Sequence, residues 1–89
     1  MLSDKMKNQI ALIAYATVSN LFAMGHNPRM RGQNFTWERF PDLAANMAGT
    51  QVFLNIPTSK NQNYQREIEE HARKTGREIA ENLVRQMNE

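Results

Sequence analysis

The chain has 89 residues, 40% hydrophobic and 22% charged, which sizes it for a single small helical domain over residues 1–89 with a limited core. It holds no cysteine, which excludes a disulfide framework, a thiol nucleophile and cysteine-ligated zinc. Its net charge of +2 is too small to argue for nucleic acid unless the cations cluster. The pattern predicts a mostly α fold, with two main helices, a short middle helix and a small β-hairpin.

From Ser3 to Met24 the residues are good helix formers. Ser3 or Asp4 suits the N-cap, and Gly25 with Asn27-Pro28 supplies a stop. Met6, Ile10, Ile13, Thr17, Leu21 and Met24 line one face, while Leu12, Tyr15, Val18 and Phe22 line another. So wide an apolar arc needs cover on more than one side, which places the helix at the centre of the fold or in a subunit interface. The apolar stretch Ile10 to Met24 contains Thr17, Ser19 and Asn20 and falls short of the roughly 20 residues of a membrane span. A signal-peptide reading would remove the chain to near Ala23 and leave too few apolar residues for a stable remainder, so the cytoplasm is the expected compartment.

Gly25 to Asn34 is rich in Gly, Pro and Asn and reads as a loop carrying Arg29 and Arg31. In the segment that follows, Pro41 suits the first turn of a short helix, Asp42 its positive end, and Gly49 its close, with Leu43 and Met47 pointing inward. Thr50 to Pro57 is β-branched and alternating, with Val52, Leu54 and Ile56 on one side. A lone strand leaves its backbone groups unpaired. The favoured partner is Gln33 to Trp37 in a hairpin, and a second subunit or no strand at all are the alternatives.

The last helix starts near Ser59 to Asn63, with Ser59, Asn61 and Asn63 as rival caps, and runs to Met87. Tyr64, Ile68, Ala72, Gly76, Ile79, Ala80, Leu83 and Met87 form its apolar stripe, and Glu69–Arg73, Glu70–Lys74 and Glu81–Arg85 stand at supporting spacings. Within the stripe, Ala72, Gly76 and Ala80 recur every four residues and let another backbone approach closely. The first helix is the expected partner, where Ala11, Ala14 and Ala16 offer matching small positions. Contact inside the chain is favoured over a dimer seam, and the bland alternative is that Gly76 is merely tolerated.

Arg29, Arg31 and Arg39 surround Phe35 and Trp37, an interleaving of guanidinium and aromatic groups that can hold phosphates and stack bases. The competing and favoured account packs Phe35, Trp37 and Phe40 over the helices and leaves the arginines in water. Five cations against six acids between Asn61 and Glu89 give the last helix no basic stripe, which disfavours a helix-turn-helix reader. His26 and His71 lie in different elements and form no ligand-spaced pair, and Glu67 with His71 is a common surface pairing, so no metal or other cofactor is expected. Gly25 and Gly32 lack the termination of a phosphate-gripping loop, and Ser3, Ser19 and Ser59 have no evident histidine–acid support. Met24, Met30 and Met47 fit either an adaptable binding surface or flexible core filling, with the core favoured.

A helix carrying Asn20, then a loop, then Trp37-Glu38-Arg39-Phe40-Pro41 resembles small phage and prophage proteins with ryanodine-receptor-type repeats. The resemblance covers Ala11 to about Pro57 and rests on the short W-E-x-x-P segment; the later tryptophan-containing elements of such repeats have no counterpart, Trp37 being the only tryptophan. It implies an accessory protein of a mobile element with no enzyme activity to carry over. Together these readings predict a non-enzymatic binding protein that self-associates as a homodimer and acts by binding a host protein or sequestering a small ligand. The alternative is a nucleic-acid-binding accessory protein that uses Arg29, Arg31, Trp37 and Arg39.

Overall fold

In the computed structural model, residues 2–30, 32, 34–56 and 62–88 are described, with the side chains at 62 and 63 excepted. Three helices account for most of them: α1 (Asp4–Gly25), α2 (Phe40–Asn55) and α3 (Gln62–Met87). No strand occurs among the described residues.

The ends of α1 and α2 have local causes. The Ser3 hydroxyl accepts the Met6 backbone N–H at 3.1 Å, which satisfies one of the amides that a first turn leaves without a partner. At the other end of α1, the His26 backbone N–H donates to the carbonyls of Ala23 and Met24, and the His26 ring Nδ1 lies 2.8 Å from the Phe22 carbonyl oxygen. The turn before α2 is closed by the Arg39 N–H, which donates to the Thr36 hydroxyl at 3.2 Å. Pro41 then occupies the first turn of α2, where its missing N–H removes nothing. α2 ends at Asn55, and Ile56 is extended at φ −106°, ψ 117°. That is the region into which a following proline drives the preceding residue.

The expected hairpin is replaced by helix. Residues 51–55 continue α2, and residues 34–39 form turns; Gln33 and Pro57 lie outside the described residues. The alternation of Val52, Leu54 and Ile56 coexists with a second register, Ala44, Ala48, Val52, Ile56, at a spacing of four. All four of those are buried. A continuous buried helical stripe outweighs the few tenths of a kcal/mol by which a β-branched residue disfavours helix. Gly49 therefore does not close the middle helix but sits buried within it. The inward residues are Ala44, Ala45, Ala48 and Val52, whereas Leu43 is 40% exposed and Met47 half-buried. The rival caps Ser59 and Asn61, and the side chain of Asn63, lie outside the described residues.

Two core clusters fix the topology. Ile10, early in α1, packs with Val52 and Ile56 late in α2 and with Ile68 and Ala72 early in α3. Val18, further along α1, packs with Phe40 and Ala44 at the start of α2 and with Ala80 further along α3. Hence α2 runs antiparallel to α1 and α3, and the outer two are parallel, an up-down-up arrangement with all three helices in mutual contact. The molecule measures 41 × 25 × 17 Å, and α3, with 26 residues, runs about 39 Å, its full length.

The small-residue row of α3 lies against α2 at its centre, not against α1 as expected. A Cβ built on Gly76 would stand 2.7 Å from the Ala48 Cβ and 3.1 Å from the Ala44 carbonyl oxygen. Gly76 faces Ala44 and Ala48, Ala80 packs in one cluster with Ala44, and Ala72 in the other with Val52 and Ile56, so the small residues let the two backbones close at the centre of the contact. Near the same seam, Asp42 and Arg77 form an ion pair, 70% and 48% exposed, worth at most about 1 kcal/mol.

Candidate functional site

The loop between α1 and α2 closes over one end of the bundle with rings. Trp37 has four ring neighbours, Phe22 at 5.4 Å, His26 at 4.8 Å, Phe35 at 4.9 Å and Phe40 at 5.2 Å between centroids. The tilted and edge-on angles, 51–85°, are those that ring quadrupoles favour. Gly25 is required here, because a Cβ would fall 2.7 Å from Phe35 Cζ and 2.8 Å from Trp37 Cη2. Trp37 and Phe35 are half-buried and pack on the cluster around Val18, so their rings serve the core first.

Arg29 and Arg39 are exposed at this end, and Arg31 lies outside the described residues. The Arg29 N–H donates to the Asn27 side-chain oxygen at 3.0 Å, an Asx turn after α1. Arg39 borders a hollow of about 320 Å³ shared with Phe35, Thr36, Phe40 and Leu43. Among the residues that the phosphate reading groups together, the structure thus places two guanidinium groups at the surface, beside a tryptophan whose ring is largely engaged.

The two histidines remain apart in role. His26 caps α1, and half-buried His71 borders a shallow depression of about 290 Å³ with Lys7, Glu67, Glu70 and Lys74. Two ammonium groups beside two carboxylates offset the negative charge that a metal cation needs. Among the described residues no group of three His, Asp or Glu converges to hold a metal.

A larger concavity among the described residues, of about 460 Å³, lies along the boundary of α1 and α2 on the side away from α3. Its walls are Ile13, Ala16, Thr17, Asn20, Leu21 and Met24 from α1, and Met47, Gln51 and Asn55 from α2. Smaller hollows continue it at both ends, past Gln9 and Leu12 at one and past Met30 and Leu43 at the other. A furrow therefore runs the length of the α1/α2 contact. Leu12, 73% exposed, lines one end of it, and Leu54, 68% exposed, is not one of its walls but falls on the same α2 stripe as Leu43 and Met47 by helical spacing. Met24 and Met47, expected as core filling, are wall residues instead, and exposed Met30 lies at the furrow's end.

Charge sets this face apart. From Asn8 to Gly25, and again from Leu43 to Asn55, there is no Asp, Glu, Lys or Arg. By contrast, α3 carries Glu67, Glu69, Glu70, Glu78 and Glu81 interleaved with Arg66, Arg73, Lys74, Arg77 and Arg85. The polar groups of the furrow are partly satisfied by their own helices: the Thr17 hydroxyl donates to the Ile13 carbonyl at 2.8 Å, and the Asn55 amide to the Gln51 carbonyl at 2.7 Å. Groups already bonded in this way lose less when water is removed. Sequence reasoning missed the furrow, although the two charge-free runs were its signal.

No family model, curated protein or solved structure matches this chain.

Proposed function

We propose that this chain is a small, non-enzymatic binding protein whose working surface is the furrow between α1 and α2, and that it takes an uncharged, apolar-faced helical surface of another polypeptide. The observation that carries this reading is the pairing of a concavity of about 460 Å³ with two charge-free helix runs and the exposed Leu12 and Leu54. Exposed apolar area of this kind, gathered on one face, marks interaction sites more often than isolated surface leucines do. Helices that dock in grooves are held by apolar side chains spaced by one turn. Ile13, Thr17, Met24, Met47 and Gln51 supply the corresponding walls. A nucleic-acid role through Arg29, Arg31, Trp37 and Arg39 is the weaker reading, because four neighbouring rings crowd Trp37. An origin in a mobile element belongs to the same proposal and rests on the Trp37-to-Pro41 resemblance alone.

The test is photo-crosslinking in cells with a benzophenone amino acid placed singly at position 16 in the furrow, at 29 in the loop and at 85 on α3. Adducts are expected from position 16 and not from 85. Adducts from 29 or 85 with none from 16 would overturn the proposal.

A further inference from the structure

We infer that the occupant of the furrow is a second copy of this chain, docked about a two-fold axis so that the α1/α2 face of one copy covers the same face of the other. The inference rests on the reading of the furrow as the working surface and names its partner.

A two-fold contact sets a surface against itself, so it tolerates only what is self-complementary. A face bearing charges of one sign repels its own copy; this face bears none between Asn8 and Gly25 or between Leu43 and Asn55. Its polar members are of the type that can pair with themselves. Gln9, Asn20, Gln51 and Asn55 each carry an amide, which is donor and acceptor at once. Thr17 and Asn55 already bond carbonyls of their own helices. The charged face of α3, in contrast, keeps its solvation when the opposite side is covered.

The dimensions also suit a second copy. The charge-free run of α1 is about 27 Å long, and two helices side by side are about 20 Å wide. Their projected face is on the order of 500 Å² per copy, about 1,000 Å² in total, which is the size of a weak, reversible pair and above most crystal contacts. Leu12 and Leu54, 73% and 68% exposed in the single chain, would supply apolar anchors to such a contact.

The experiment is sedimentation equilibrium of the full chain from about 5 to 500 μM, a span that brackets micromolar dissociation constants. It compares wild type, the double variant Leu12→Glu/Leu54→Glu and the control Arg85→Glu, with circular dichroism of each. Both leucines are solvent-facing, so the double variant is expected to keep wild-type helicity while its dimer dissociation constant rises at least 100-fold; Arg85→Glu is expected to remain a dimer. A wild type that stays monomeric throughout, or a dimer that persists unchanged in the double variant, would overturn the inference. Should the double variant lose its helicity, Ala16→Glu, also at an exposed α1 position, replaces it under the same criteria. The in-cell crosslinks separate the two levels: adducts at position 16 to another polypeptide with a monomeric wild type reject the second copy and leave the docking surface standing, whereas no adduct at position 16 rejects both.

Discussion

The two contacts that α2 makes are built on opposite plans. Toward α3 it presents Ala44, Ala45, Ala48 and Gly49, and the backbones close until a Cβ on Gly76 would stand 2.7 Å from Ala48. Toward α1 its outer edge presents Met47, Gln51 and Asn55, and the boundary stays open as a furrow of about 460 Å³. Small side chains make a contact that is complete within one chain. Longer uncharged ones at its margin leave the boundary open. On the proposed reading the seam serves stability and the furrow association, so substitutions in the two should separate cleanly.

The largest effect is expected from Gly76→Leu, which drives a whole side chain into Ala48 and the Ala44 carbonyl. Overpacking of about 3 kcal/mol or more removes much of the stability of a domain this size, and the cooperative thermal transition should shift down by at least about 12 °C or vanish. A smaller loss is expected from Gly76→Ala. Here the propensity gain of about 1 kcal/mol opposes overpacking of about 1–3 kcal/mol, so the Tm falls by a few degrees. Gly49→Ala should change the sign. Its Cβ would meet the Arg73 side chain, at 3.0 Å from Cγ and 3.1 Å from Nε, and a long exposed side chain can move aside. The propensity term then prevails, and the Tm rises by up to about 6 °C. A fall for Gly49→Ala, or a rise for Gly76→Ala, would break the comparison on its seam side. The smallest effect is expected from Leu12→Ala and Leu54→Ala measured at low micromolar concentration, where monomer stability should stay within about 0.5 kcal/mol of wild type. At high concentration the same variants should lose the concentration dependence of the Tm that a dimer confers.

How much of this was legible from the residues depended on length and on neighbours. α1 and α3 were readable because a period near 3.6 is sustained over many residues, and Ser3 and Gly25 mark the ends of α1. The second half of α2 was not, because Thr50 to Ile56 satisfies a two-residue and a four-residue repeat at once. Only the burial of Ala44 and Ala48 upstream of Val52 settles which repeat faces the core. The row of Ala72, Gly76 and Ala80 announced a close approach, but its central partners Ala44 and Ala48 lie in the half of α2 that reads as helix, and a small-residue row does not itself say which helix it meets. The furrow was hidden because its α2 wall includes Gln51 and Asn55 from the half read as strand: a charge-free stretch of α1 becomes a surface only beside a second charge-free helix. The packing of Phe35, Trp37 and Phe40 at the end of the bundle needed no such context, since large aromatic rings clustered in sequence bury much of their area against one another.

The most direct test of the central claim, that the uncharged α1/α2 face meets its own copy, is an isotope-filtered NOE experiment on an equal mixture of carbon-13-labelled and unlabelled protein at millimolar concentration. The account predicts intermolecular contacts from the methyl groups of Leu12, Ala16, Met47 and Leu54, and none from Ile79 or Val84 in the core around α3. Intermolecular contacts confined to α3, or no intermolecular contact at all, would contradict it.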